Sequence, residues 1–445
     1  MPSLVGSEMC IRDRIIGDSV KVNISITEGE DVIIKNTYIE GVDLSDSNFV
    51  MRELLYQNGE YYDPNKIEKS KRRLKETGIY SLINITPVKV SDSDSLVNVV
   101  LTLSEFKQRE WLSVGGFEPI EFYEGLDPLP SLGGFIEWRN RSIFNTNSNF
   151  STKFLVGFPW ETNFNLPRLR YDIGFDTNWI LGVRWPTKLN SFYETLINYD
   201  QENIDQVERY GLEMLQRVML DERSYFQNIT VWENFSDNSV NTMDTSGVLN
   251  SIISVKNLQQ RSLSFRLHID KKDDPLFPQK GFLLDLYFKS TGYFLGGERD
   301  YYKLDFSFQK YFKLSRKSVL ATRFKFGRLW SWEDSYLDYS YEKFYLGGSA
   351  NMRGWDILKY STTNNLGDVP LGGTFRFLTN IEFRNQLNQN LGMYLFFDGG
   401  ILSEDFDRLI KSRLGWDIGL GLTISTPLGP VRLDYAIPYI NNEVI

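Results

Sequence analysis

The chain has 445 residues, 41% of them hydrophobic and 24% charged, with a formal net charge of -9 and a pI near 5.1. That acidic balance argues against nucleic-acid binding, which rests on a basic footprint. A single cysteine, Cys10, and a single histidine, His268, exclude disulfide scaffolds, Cys/His zinc sites and Cys–His nucleophilic chemistry.

Aromatic residues reach 15%, an excess that favours sheet surfaces and membrane interfaces. No uninterrupted apolar run is long enough for a transmembrane helix, so a membrane protein of this sequence has to be a closed barrel. Residues 1–17 hold no apolar segment followed by a small-residue cleavage site, and Met1 to Arg14 resembles a translated sequencing adaptor. This stretch is read as a non-native leader or a fragment of upstream sequence, which leaves the compartment undecided.

Residues 18–105 read as a small α+β unit. Val20, Val22, Ile24 and Ile26 share one face of a strand running to Glu28, and a second short strand follows around Val32 to Ile39. Asp43 to Asp46 offers capping groups for a helix carrying Phe49, Met51, Leu54 and Leu55. Asp63-Pro64 opens a second helix with Ile67, Lys71 and Leu74 at helical spacing, and Gly78 stops it. Strands at Tyr80 to Val90 and Val97 to Leu103, divided by a polar turn at 91–95, complete the unit. Such a fold buries its helices on one sheet face and leaves an edge free to accept another strand, or serves simply as a folded spacer.

From residue 106 to 440 the period becomes two. Leu320, Thr322, Phe324 and Phe326 alternate with Ala321, Arg323 and Lys325; Trp416, Ile418, Leu420 and Leu422 alternate with Gly415, Asp417, Gly419 and Gly421. One face is apolar and the other charged, polar or glycine-rich. In a soluble sandwich the charged face is outside, and in an outer-membrane barrel it lines the lumen. Several runs approach the roughly 9 to 11 residues that cross a bilayer when tilted. Sixteen strands would leave about 21 residues for each strand and connection, which suits a membrane barrel, although the strand content of 202–250 and 332–365 stays open. Residues 441–445 read as a short tail.

The ordered pieces of the last third resemble the BamA/TamA outer-membrane assembly family. His268 to Gly281 ends in a Phe-Pro-Gln-Lys-Gly turn. Met352-Arg353-Gly354-Trp355 stands where a Val-Arg-Gly-aromatic loop is usual. Phe396 to Gly400, Gly419-Leu420-Gly421, Thr426 to Pro430 and Arg432 to Ala436 follow as barrel strands. The N-terminal unit is similar to that family's periplasmic POTRA domain through Tyr61-Tyr62-Asp63, Ile67, Leu74, Gly78, Tyr80 and Ile83. The resemblance implies a mainly β fold: a 16-stranded antiparallel transmembrane β-barrel in the bacterial outer membrane, preceded by a POTRA domain in the periplasm.

It further implies an inward loop whose Arg353 meets acidic residues of the barrel wall, with Glu382 and Asp398 as the expected acceptors. Gly354 would make the sharp turn and Trp355 the packing. The terminal seam would lie between a first strand near Arg109 to Gly116 and a last one near Val431 to Pro438. Gly415, Gly419, Gly421, Arg432, Asp434 and Pro438 belong to that seam region.

The implied function is assembly of β-barrel or secreted client polypeptides at the outer membrane, without cofactor, metal or nucleic acid, and with periplasmic or inner-membrane accessory proteins as further partners. A passive channel and a two-partner-secretion transporter are the alternatives. A carboxylate hydrolase using Asp270, Asp273 and Asp274 is disfavoured, because adjacent acids beside Pro275 form a turn more simply; a patatin-type fusion would place a lipase upstream, and the visible chain shows no Gly-x-Ser-x-Gly nucleophile elbow. No enzymatic activity is expected.

Overall fold

The structure, a computed structural model, describes residues 8–444 apart from 17–18, 28–30, 44, 91–92, 94, 121–128, 144–147, 160–166, 200–203, 242–251, 332–341, 357–359, 361–371, 389, 404–413, 427–428 and 441–442. Its contacts divide into two compact units. The first is Met1–Glu110 together with Arg139–Phe150 and Asp176–Arg184, and the second is the remainder to Ile445.

In the first unit β1 (Glu8–Ile16) and β2 (Ser19–Thr27) form a two-stranded antiparallel ladder. They are followed by β3 (Ile33–Glu40), α1 (Ser47–Glu53), α2 (Pro64–Glu76), β4 (Tyr80–Lys89) and β5 (Leu96–Glu105). β5 is the central strand, parallel to β3 and antiparallel to β4. The helices start where the sequence supplies caps: Asp46 accepts from the Asn48 N–H at 3.1 Å and Asp63 from the Asn65 N–H at 2.8 Å, with Pro64 beginning α2. Ile34, Val50, Leu74, Ile79, Val99 and Leu101 are fully buried between helices and sheet. The α+β sheet thus has three strands. The strand expected at Val20 to Glu28 pairs with β1 instead, because a nine-residue register closed by a very short connection satisfies its backbone locally. The polar turn at 91–95 falls largely outside the described residues.

The second sheet is built from β6 (Arg109–Ile120), β7 (Leu129–Asn140), β8 (Ser148–Pro159), β9 (Arg168–Ile180), β10 (Val183–Tyr199), β11 (Ile204–Met219), β12 (Tyr225–Asn241), β13 (Ile252–Asp270), β14 (Gly281–Thr291), β15 (Tyr301–Lys313), β16 (Ser318–Trp330), β17 (Phe375–Gln386), β18 (Leu391–Ser403), β19 (Leu414–Thr426), β20 (Gly429–Ile440) and β21 (Glu443–Val444). Each strand neighbours the next in sequence, which gives sixteen strands from β6 to β21. Fifteen of these are long. The sixteenth is the two-residue β21, in the stretch read from sequence as a tail, and it pairs with Tyr439 and Ile440. Among the described residues no ladder joins β6 to β20 or β21. The region 202–250, left open by the sequence, carries β11 and β12, and β10 to β13 run 16 to 19 residues, well beyond what a bilayer needs.

The alternation seen in the sequence is a difference of environment. Phe383, Leu395, Ile418, Leu420, Leu433 and Tyr435 are exposed, whereas Arg376, Asp398 and Asp417 on the opposite face are 0% exposed. Charged groups buried and large apolar groups exposed is the inverse of a soluble sandwich. It is the arrangement of a barrel whose outer face meets lipid and whose inner face is enclosed.

The connections 181–182, 220–224, 314–317 and 387–390 lie at the strand ends where β6 begins, with the ten-residue 271–280 among them, and the connection that follows β16 lies at the opposite ends. The longest, between β16 and β17, carries the loop of interest.

Candidate functional site

The loop leaves β16 after Trp330 and returns at Phe375. Phe344 and Gly373 exchange backbone hydrogen bonds of 2.8 Å in both directions and join its two limbs. The chain then turns at Gly347 and Gly348, with φ of 109° and 100°, a region that favours glycine. The Gly348 N–H donates to the carbonyls of Met352 (3.0 Å) and Trp355 (2.9 Å), and the Gly347 N–H to the Asn351 side chain at 2.7 Å, closing a compact hook. Leu346, Met352, Trp355 and Tyr360 bury their side chains with Leu378 and Leu402 of β17 and β18. Trp355 meets Tyr360 edge to face at 5.3 Å.

This apolar packing fixes the hook and delivers Arg353 to the wall. Its Nε and Nη2 take both oxygens of Asp398 at 2.7 Å, and Nη1 takes Glu382 at 2.7 Å. The guanidinium lies 3.5 Å from the Phe396 ring centre, a cation–π contact in addition to the two-pronged ion pair. The acids are themselves held: Asn380 donates to Asp398 at 2.6 Å, and Glu382 also receives Arg384 at 2.6 Å and Arg432 at 3.0 Å. A guanidinium at 5% side-chain exposure is tolerable only with this degree of pairing.

Gly354 acts differently from the sequence expectation. The positive φ angles that turn the loop belong to Gly347 and Gly348. Gly354 is needed for close approach instead: a Cβ there would sit 2.8 Å from the Asp417 Cβ and 3.1 Å from the Pro438 Cβ. Its N–H donates to Asp417 at 3.1 Å. Arg353 and Gly354 therefore touch Glu382 of β17, Asp398 of β18, Asp417 of β19 and the environment of Pro438 in β20, four consecutive strands at one end of the sheet. Asp434, also on β20, lies 4.0 Å from the Arg353 guanidinium.

The glycine stripe of β19 has a related cause. A side chain at Gly419 would meet the Phe396 ring and one at Gly421 the Tyr394 ring, each at 2.3 Å, while Gly415 faces Tyr360 at the same distance. These glycines make room for aromatic rings inside the sheet. Arg432 stacks on Tyr394 at 4.3 Å, and Asp434 accepts a hydrogen bond from the Tyr394 hydroxyl.

A second anchor was missed by sequence reasoning. Glu342, at the start of the described loop, receives Lys289 at 2.8 Å, Lys303 at 2.9 Å and the Tyr301 hydroxyl at 2.8 Å. Both lysines are nearly fully buried. Asn380, Phe396 and Asp417 were likewise not assigned. Two-residue spacing from Glu382, Asp398 and Gly415 puts them on the inner face, but which ones meet the loop depends on register and on the path of the hook. Asp273 and Asp274 accept backbone N–H groups of their own turn, such as Gln279 at 2.9 Å and Phe277 at 2.7 Å, and His268 pairs with Asp285 at 2.8 Å.

Fold and site together define an outer-membrane-type barrel sheet with an arginine loop tucked inside, preceded by a small POTRA-type α+β domain. The chain belongs to the Omp85 superfamily, whose domain matches residues 143–443, and a POTRA domain described as a surface antigen variable number repeat matches 32–105. It is similar to the outer membrane protein assembly factor BamA of Nitratidesulfovibrio vulgaris, 23% identical over 436 residues, covering 94% of this chain and 50% of that protein. The chain spans about half the length of the curated relatives it matches. Among solved structures, BamA from Haemophilus ducreyi lacking POTRA domains 1–3 covers 99% of this chain and 88% of its own at 16% identity with a TM-score of 0.65. CdiB from Acinetobacter baumannii covers 97% and 78% at 13% identity with a TM-score of 0.50.

Proposed function

We propose that this chain is an outer-membrane assembly factor that inserts β-barrel client polypeptides into the bilayer, with its N-terminal domain in the periplasm. The observation that carries the reading is the span of the loop tip. One arginine and the glycine beside it hold β17, β18, β19 and β20, so the inward loop braces the end of the sheet at which a client strand would be received. The curated relatives, both BamA proteins, support assembly over the transporter reading.

The chemistry is mechanical and asks for no cofactor or catalytic group. Client strands gain hydrogen bonds and bury apolar side chains in lipid, and that gain drives insertion. The braced end supplies a positioned edge, and accessory proteins of the periplasm or inner membrane deliver the client. The client's route is a gated seam between β6 and the β20–β21 end.

Liposomes carrying the protein are the test. An unfolded barrel client added outside should become protease-protected and heat-modifiable at a rate well above that of empty liposomes. Selective solute flux without any client insertion would make the protein a passive channel and overturn the proposal.

A further inference from the structure

We propose that Glu194 of β10, Arg209 of β11 and Gln260 of β13, on strands that Arg353 does not touch, are positioning residues for the arginine tip of the loop. They act through a buried polar relay that ends on Glu342. This deepens the assembly reading, because the brace on β17 to β20 then depends on strands in the other half of the sheet.

The relay is continuous. Glu342, at the root of the described loop, accepts from the Tyr301 hydroxyl at 2.8 Å. Tyr301 in turn accepts from the Gln260 amide at 3.1 Å, and the same amide nitrogen donates to Glu233 at 2.8 Å. Arg209 then lies between Glu233 at 3.2 Å and Glu194 at 2.8 Å. These contacts run through β15, β13, β12, β11 and β10, and Glu194 also takes Arg168 and Arg170 of β9 at 3.0 and 3.1 Å.

Its members are fixed in direction and in place. A carboxylate only accepts, so Gln260 presents its NH2 group to Glu233, and Tyr301 gives its one hydroxyl proton to Glu342. Glu194 faces Arg209, and Glu233 faces Gln260, directly across their ladders. The Arg209 guanidinium lies 4.9 Å from the ring centre of Phe192, which is itself buried. Glu194, Glu233, Gln260, Tyr301 and Glu342 are all buried. In such surroundings hydrogen bonds polarise their neighbours, and the loss of one is felt by the next.

Tyr301 joins the relay to the hook. Its hydroxyl is a link of the relay, while its ring belongs to the same apolar cluster as Leu346, Met352 and Trp355, the side chains that deliver Arg353 to the wall. A close-packed cluster passes on a displacement of one member instead of absorbing it. Isolated ion pairs on β10 to β12 would have no such route to the loop.

The test uses the full chain in lipid nanodiscs, with Cys10→Ser and a nitroxide attached at Ser349→Cys, an exposed position of the hook. Electron paramagnetic resonance reads the mobile fraction of the label. Gln260→Met keeps the side-chain length and removes the amide, so it severs the relay at its uncharged link. It should raise the mobile fraction about twofold or more; Glu194→Gln should act likewise in the parent and add nothing once Gln260→Met is present, as members of one network do. Arg209→Lys, which keeps the charge and removes the guanidinium, replaces Glu194→Gln in the same cycle if that variant does not fold. A parent-like spectrum for Gln260→Met, or an equal effect of the β10 or β11 variant in both backgrounds, would overturn the proposal. Client insertion is scored on the same preparations: failure of the parent to insert removes the assembly reading, while the label alone decides the relay.

Discussion

At the scale of single residues, the loop tip combines a paired charge with a missing side chain. Arg353 carries the pairing, and Gly354 lets it come close enough to reach Asp417 and Pro438. Gly354→Ala places a methyl group against a rigid wall, and overpacking of this kind costs about 1–3 kcal/mol. The variant should keep its strands but unfold at lower temperature in detergent than the parent, measured by the loss of heat-modifiable mobility. A change at Gly392, where an added Cβ would meet its nearest neighbour at an ordinary 3.6 Å, should not reproduce the effect. Arg353, Glu382 and Asp398 were expected through the resemblance of the Met352–Trp355 loop to the family pattern, and the need of a buried guanidinium for carboxylate partners agrees with it. Asn380, Phe396 and Asp417 were not, since their part depends on where the hook comes to rest.

At the scale of elements, the loop is held at both ends of its described path. Glu342→Gln keeps the shape of the first anchor and removes the charge that the buried Lys289 and Lys303 both meet. Loss of one partner from a buried pair costs about 3–5 kcal/mol. Thermal unfolding should show a large drop, with partial recovery when Lys289→Met is added. The β11–β12 turn offers a pH-dependent counterpart. Burial pushes the Asp221 carboxyl up, but Lys271 at 2.6 Å and the N–H groups of Arg223 and Ser224 outweigh it and hold it below the usual carboxylate range. A depressed folded-state value means stabilisation that is present above the unfolded value near 4 and lost as pH falls through the folded one. The protection of this turn's amides, taken as exchange relative to the intrinsic rate at each pH, should fall on acidification, and Asp221→Asn should flatten that response. The strands from β14 onward were legible because alternation and glycine turns agree there. β11 and β12 were obscured by their many polar residues, and β2 was assigned to the wrong sheet because alternation identifies a strand without naming its partner.

At the scale of the whole molecule, an enclosed charged face, an exposed apolar face and a tucked arginine loop are parts of one design. The loop tip bridges the strands nearest the β20–β21 end, while β6 stands at the other end of the same sheet. The fold class follows from the period-two pattern and needs no exact strand count, which explains how the barrel was legible while its last strand was not: β21 is only two residues long and carries no pattern. In the proposed function, bracing by Arg353 is a condition of assembly. Its most direct test is the rate of client insertion into liposomes carrying Arg353→Ala, with retained strand content checked by circular dichroism on the same sample. A less stable barrel and insertion slowed about tenfold or more are expected, since removing one partner of a buried ion pair costs about 3–5 kcal/mol. Unchanged barrel stability together with an unchanged insertion rate would contradict it.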